Sequence, residues 1–214
     1  MMIGLIRVLE SLAVIAAALV AIYGISSWRR EMKGRKEYEL AEEVLTLFYE
    51  AKDKISAIRN PLSWSGEGQS RKASPEEKPE EKEAFDRAHI VFERYQRYQE
   101  TFNRLHALHY RFKTIFGRDK VKPFDDLNKI VRDIHTAATM LGHYWVRLSK
   151  THLPMNEREY DRLIKNIQEY ETVIWAGFDP DPIAPKVESL IEEIEKICEP
   201  ILAGPNLGVN NIGN

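Results

Sequence analysis

The chain contains very little cysteine. Cys198 is the only cysteine among 214 residues, so no intramolecular disulfide can form. A single thiol is typical of a reducing compartment, which favours the cytosol for most of the chain. An excess of one charge is lacking as well, because 31 Lys and Arg face 33 Asp and Glu, for a net charge of -2. A general attraction to nucleic acid is thereby disfavoured, and we expect no nucleic-acid partner.

The motifs of common catalytic and cofactor sites are also absent. Gly66 and Gly68 lack the third glycine and the preceding strand of a dinucleotide-binding loop, and no serine lies in a Gly-x-Ser-x-Gly elbow. Asp86 and His89 give only a loose match to the Glu-x-x-His motifs of di-metal bundles. The sequence therefore predicts no cofactor and no catalytic, cofactor-binding or metal-ligating residue.

One apolar run stands out near the N-terminus. Ser11 to Trp28 carries no formal charge over 18 residues, close to the length that a helix needs to cross a hydrocarbon core of roughly 30 Å. Tyr23 and Trp28 are suited to the interface between lipid and water. The run predicts a transmembrane anchor over residues 1–28, with the lipid bilayer as a partner.

The charges around this run predict an orientation. Arg7 is the only basic residue before Ser11, whereas five follow Trp28 at once: Arg29, Arg30, Lys33, Arg35 and Lys36. Because basic flanks stay in the cytoplasm, we expect a single-pass protein of the cell membrane, the inner membrane in a bacterium, with its C-terminal part in the cytoplasm. A cleaved signal peptide, whose charges precede the apolar run, is disfavoured. The buried helix of a soluble protein is the other alternative, favoured by the five alanines.

The rest of the chain has helical periodicity and no segment typical of a strand. Residues 29–60 predict a basic flank and a juxtamembrane amphipathic helix, 81–202 an antiparallel helical bundle and 203–214 a disordered tail. The predicted fold class is all-α, an N-terminal single-pass transmembrane helix followed by an elongated up-and-down, coiled-coil-like helical bundle.

Residues 61–80 differ in composition from the segments on either side. They are rich in Ser, Gly, Pro and charge, without periodicity, which predicts a flexible linker. Trp64 is its only aromatic residue and a candidate docking residue, although an exposed loop tryptophan without a role is the commoner case.

Four arginines recur every seven residues along the longest predicted helix: Arg97, Arg104, Arg111 and Arg118. This spacing places them on one side, as a candidate anion-binding row for phosphate or lipid headgroups. A solvated face whose charges pair with Glu93, Glu100 or the acidic last helix is the favoured alternative.

The functional prediction rests on architecture. We expect a membrane-anchored cytoplasmic helical bundle that acts by protein–protein interaction, as a scaffold, sensor partner or regulatory subunit. Its protein partner is unknown, and a homodimer is a further hypothesis because Ala13, Ala17 and Ala21 form a ridge of small residues. The alternative is a membrane-surface enzyme or effector with an arginine-lined or histidine-lined site. Clustering of His106, His109, His135 and His143 in one pocket would favour it.

Overall fold

A computed structural model describes residues 2–150 and 156–204, with side chains described for residue 12 and from residue 14 onward. Five α-helices follow in order: α1 Met2–Ile58, α2 Pro79–Phe116, α3 Lys122–Ser149, α4 Glu157–Ile174 and α5 Ala184–Leu202. A short 3-10 helix, Arg118–Lys120, connects α2 and α3. Since no strand occurs within these ranges, the predicted all-α class is confirmed.

The predicted transmembrane anchor over residues 1–28 is wrong. No helix in the described part of the chain combines the length and the apolar character that crossing a membrane requires. The uncharged run Ser11–Trp28 has 18 residues, fewer than the about 20 that a crossing typically needs, and Arg29 and Arg30 follow in the same helix. The single-pass architecture is therefore not retained, and the cell-membrane location stays an untested expectation.

Helix α1 is a single helix of 57 residues with two different environments. Residues 12–38, here called the exposed segment, leave the bundle, and nearly all their side chains face solvent. Residues 40–58, here called the bundled segment, carry a buried stripe that includes Leu40, Val44 and Phe48, each with 0% of its surface exposed. The bundle therefore begins at Leu40, although the helix continues without interruption on both sides of that residue.

Helices α2, α3 and α5 form the bundle around the bundled segment. Helices α2 and α3 are antiparallel, because Lys150 lies 2.6 Å from Glu81 at one end and the rings of Phe112 and Phe124 are 5.2 Å apart at the other. Helix α5 is antiparallel to α3. Lys186, at its start, is 3.5 Å from Asp133, whereas Glu193, farther along, is 2.7 Å from Lys122 near the start of α3.

Helices α4 and α5 run in the same direction, so the predicted up-and-down order fails at this pair. Arg87 of α2 lies 3.9 Å from Glu171 of α4. Farther along both helices, Arg94 of α2 faces the ring of Trp175, which directly follows α4. Helix α4 is therefore parallel to α2. The reason is the position at which α1 ends. Arg94 binds the carbonyl of Ile58, so the first turns of α2 extend beyond α1, and at this level α4 packs mainly on α3.

The core is continuous along the bundle and carries an aromatic cluster near the connection between α2 and α3. Phe48 of α1 packs edge-on against Phe124 of α3, with ring centroids 5.0 Å apart. The helical periodicity of the sequence agrees with the buried face of α3, which includes Leu127, Ile134, Ala138, Leu141 and Trp145. Apolar periodicity therefore indicated the inward face of α3 correctly.

Residues 61–80 are fixed to α2 by charged side chains, which differs from the flexible linker that the sequence predicts. Arg71 lies 3.1 Å from Asp86 of α2 and also pairs with Glu77. Gly68 has φ +87°, and a Cβ there would lie 2.0 Å from the Asp86 carbonyl oxygen, so this close approach needs glycine. Apolar periodicity does not reveal a segment that is held by ion pairs. In the predicted tail, residues 205–214 lie outside the described residues.

Candidate interaction surfaces

The histidines do not share one pocket. His109 stacks on Phe124 in the bundle, with ring centroids 5.3 Å apart, and His106 points toward Tyr110 on the outside of α2. His135 lies between other rings, 5.0 Å from Phe92 and 4.6 Å from Tyr95. Burial among these rings lowers the pKa of His135, which favours a neutral, structural imidazole.

His89 and His143 line a separate cleft of about 140 Å³ between α2 and α3. Among the described residues, no group of three His, Cys, Asp or Glu side chains is arranged to hold a metal ion. His152 lies outside the described residues. His106, His109, His135 and His143 therefore do not cluster in one pocket, which was the condition that the sequence analysis set for a histidine-lined site.

The arginine row faces carboxylates at three of its four positions. Arg104 and Arg111 lie 3.5 and 3.9 Å from Glu43 of α1, and Arg97 lies between Glu93 and Glu67, 3.8 and 3.9 Å away. These arginine side chains are about half exposed, at 50 to 55%.

Arg118, the fourth member of the row, has no carboxylate within 4.0 Å in the described part of the chain. The pairing of the other three agrees with the solvated-face alternative, except that Glu43 and Glu67 are partners that the sequence did not indicate. Anion binding along the row stays a prediction.

The exposed segment of α1 presents apolar side chains on every side of the helix. Their exposed fractions range from 56 to 72%, and the residues are Leu12, Val14, Ile15, Leu19, Val20, Ile22, Tyr23, Ile25 and Trp28. The predicted basic flank, Arg29, Arg30, Lys33, Arg35 and Lys36, follows and is exposed as well. A contiguous apolar surface of this kind typically marks a binding region.

A groove of about 940 Å³ opens where α1 leaves the bundle beside the end of α5. Tyr38, Pro200 and Ile201 supply apolar surface, and the charged lining is Glu31, Glu37, Glu39, Glu42 and Arg35. The last turn of α5 contains no basic residue, so the negative end of its helix dipole is not compensated there. The groove therefore combines apolar surface with charges that are mostly acidic.

Two buried arginines, which sequence reasoning missed, close the other end of the bundled segment. Arg94 is 4% exposed and binds Glu67 with two nitrogens, at 2.9 and 2.7 Å. This hydrogen bonding lowers the pKa of the Glu67 carboxyl. Arg59 is 3% exposed and donates to the carbonyls of Thr172, Val173 and Trp175 at the end of α4 and to Asp181. The only available sequence signal was an arginine next to the apolar stripe.

The Arg94–Glu67 pair also positions Trp64. The Trp64 amide donates to Glu67 Oε2 at 3.3 Å, and the Trp64 carbonyl accepts from the Glu67 amide at 3.1 Å. The indole itself is 82% exposed. The predicted docking residue is thus accessible on a turn that is held to the bundle.

Over residues 2–150 and 156–204, fold and surface together define an all-α protein with five α-helices and an accessible apolar segment in α1. No protein-family model, no curated protein and no solved structure matches the chain. A function can therefore be argued only from the surfaces described above.

Proposed function

We propose that the chain acts by protein–protein interaction, with the exposed segment of α1 as its contact and the bundle as its rigid base. The observation that carries the proposal is the set of large apolar side chains around the helix, such as Leu19, Ile22 and Tyr23, at 62, 64 and 71% exposure. Covering apolar surface contributes about 25 cal/mol per Å². The bundle does not cover this surface, because its first buried residue in α1 is Leu40.

A helical partner is the simplest occupant of such a surface. Helices pack by interlocking side chains, and a helix that is apolar on all sides can take neighbours on more than one face. Binding rather than catalysis is supported by the chemistry of the described residues, because the histidines are scattered and most of the row arginines face carboxylates. A scaffold or regulatory subunit needs only such a surface and a stable bundle.

Substitutions in the exposed segment test this proposal. The full chain is covalently cross-linked and isolated from its host in mild detergent. The unmodified chain should then carry a cross-linked partner protein. Leu19→Gln with Ile22→Gln should abolish this cross-link. The matched control, Leu62→Gln with Tyr110→Gln, changes side chains of similar exposure, 75 and 62%, elsewhere on the surface and should leave cross-linking unchanged.

Three results would contradict the proposal. One is a chain that is never cross-linked to protein, including a second copy of itself. Another is equal loss of cross-linking in the variant and the control. Retention by lipid vesicles without a protein partner would likewise count against it.

A further inference from the structure

The uncharged part of the exposed segment, residues 12–28, carries apolar side chains on every side of the helix. Because successive residues turn by about 100°, Leu19 and Tyr23 lie on one side, and Val14 and Ile25 lie on the opposite side. The two sides between them carry further large apolar residues: Ile15 and Ile22 on one, Val20 and Trp28 on the other. All of these side chains are 56 to 72% exposed. The bundle therefore covers no side of this stretch.

The side of α1 that faces solvent in the bundle changes its chemistry along the helix. In the bundled segment, this side is largely polar and includes four exposed residues: Glu42, Thr46, Asp53 and Ser56. The same side, followed at intervals of three and four residues into the exposed segment, carries residues that are small or apolar: Ala17, Ala21, Gly24 and Trp28. Water solvates the first set readily, whereas exposure of apolar surface is unfavourable. Residues 12–28 therefore need cover on the side where the bundled segment has none.

We infer that residues 12–28 are enclosed on all sides by a different protein, as the central helix within a bundle of partner helices. This enclosure rests on the proposed function and describes the partner that it requires. A helix packed on one side of a core buries a stripe of about 100°, so about three or more neighbouring helices are needed to cover the whole circumference. At 1.5 Å per residue, the channel between them is about 25 Å deep.

Copies of α1 alone do not supply this cover. In a closed ring of identical helices, each helix faces the centre and its two neighbours, and its outer side stays in solvent. Such an outer side is normally polar, as it is at Glu42 and Asp53 in the bundled segment. Residues 12–28 offer no polar side, since their only serines, Ser26 and Ser27, are neighbours that lie about 100° apart around the helix.

A membrane does not match this distribution either. A helix that lies on a bilayer surface has one apolar and one polar face, whereas residues 12–28 are apolar all round. A helix that crosses a bilayer typically needs about 20 apolar residues, and the uncharged run Ser11–Trp28 has 18 before Arg29. Enclosure by protein requires neither a polar face nor that length.

Arg29 and Arg30, which directly follow this stretch, indicate the charge of the partner. Both are exposed, and neither has a carboxylate within 4.0 Å among the described residues. Lys33 and Arg35 differ, because each lies near a glutamate one turn farther along α1, at 3.6 and 3.9 Å. Complementary charges across an interface select the correct partner, so the mouth of the enclosing channel is acidic.

Photo-cross-linking from three sides of the helix tests the inference. In the full chain inside its host, a photoreactive phenylalanine analogue replaces Leu19, Val20 or Ile25 in turn, three positions roughly 120° apart around the helix. All three positions should attach to one and the same protein. The control positions, Leu62 and Tyr110, are 75 and 62% exposed elsewhere on the surface and should not attach to that protein. Attachment from every side, rather than capture of a protein as such, supports the enclosure.

A charge reversal tests the acidic mouth of the channel. Arg29→Glu with Arg30→Glu should lower the yield of the adduct from position 19 at least about tenfold, because like charges then meet at the mouth. The matched control, Lys165→Glu with Lys196→Glu, changes the net charge equally at side chains that are 75 and 74% exposed on α4 and α5, and it should leave the yield unchanged. Unchanged helical circular dichroism shows that the fold is retained. Equal yields in the two variants would overturn the acidic mouth.

The possible failures are distinguishable. Attachment to protein from only one or two of the three sides overturns the enclosure and leaves the proposed function intact. Attachment only to a second copy of the chain has the same consequence. Attachment only to lipid, or to nothing, overturns both the enclosure and the proposed function.

Discussion

The two segments of α1 belong to one helix and differ in almost everything else. In the bundled segment, apolar residues form a stripe, and Val44 and Phe48 are fully buried by α2, α3 and α5. In the exposed segment, apolar residues surround the helix, and Val20 is 72% exposed. Most helix stability in proteins comes from tertiary packing, so the bundled segment is stabilised from within the chain. The exposed segment depends on what covers it, which makes it the region where interaction should be sought.

The buried end of the bundled segment allows the largest perturbation. Glu67→Ala should lower the free energy of unfolding by about 3 to 5 kcal/mol, because the buried Arg94 guanidinium loses its only carboxylate partner within 4.0 Å among the described residues. Urea unfolding followed by circular dichroism measures this. The control is Glu169→Ala, whose partner Lys165 is 75% exposed, with an expected change below about 0.5 kcal/mol. Equal effects of the two substitutions would show that the buried Arg94–Glu67 pair contributes no more to the free energy of unfolding than an exposed pair.

A pair of truncations compares the two segments of α1 directly. Phe48→Ala should cost about 3 to 5 kcal/mol, because it removes a fully buried ring that packs on Phe124. Ile22→Ala should change the unfolding free energy of the bundle by less than about 0.5 kcal/mol, since Ile22 is 64% exposed. Thermal and urea unfolding measure the change in unfolding free energy of each variant. A larger effect of Ile22→Ala would mean that the exposed segment packs on the bundle in solution.

Acid provides the smallest and most local test. The Arg71 hydrogen bond lowers the pKa of the Glu77 carboxyl from 4.5 to about 2. Because this pKa is lower in the folded than in the unfolded state, the contribution to stability is present above pH 4.5 and is lost as the pH falls through about 2.

Urea midpoints measured between these pH values should therefore decline with acid, and Arg71→Met should make the decline shallower. Lys165→Met, which removes a cation from an exposed pair, is the control and should leave the slope unchanged. If the urea midpoint of Arg71→Met falls with acid as steeply as that of the unmodified chain, the Arg71–Glu77 contact is not the cause of the decline.

Local sequence signals predicted the helices and several of their ends. A glycine directly after a helical run is typical of a helix end, and Gly117, which follows α2, has φ +97° while its amide donates to the Lys113 carbonyl. An asparagine directly before a helical run is typical of a helix start, and the Asn156 side chain accepts from the Glu159 amide at 2.9 Å. Both signals act over three or four residues, so they can be read from the order of the residues alone.

Longer relations were missed, because the partners are far apart in the chain. The sequence predicted flexibility for residues 61–80, and Arg94 was passed over, although Glu67 lies 27 positions away and binds it. The parallel course of α4 and α5 followed from the level at which α1 ends against α2, which no loop length indicates. The groove residues of α1 lie within the predicted segment 29–60. The sequence did not indicate that Pro200 and Ile201 of α5 would lie beside them.

The sequence by itself determined the all-α class, the face of α3 that enters the core and the basic flank of α1, because these follow from neighbours within one or two helical turns. Only the tertiary structure decided that Arg59 and Arg94 are buried, that α1 leaves the bundle at Leu40 and that an acidic groove opens beside α5. The physical reason is that burying a charge requires partners on several elements at once. Arg59 finds one of its partners in Asp181, 122 residues away.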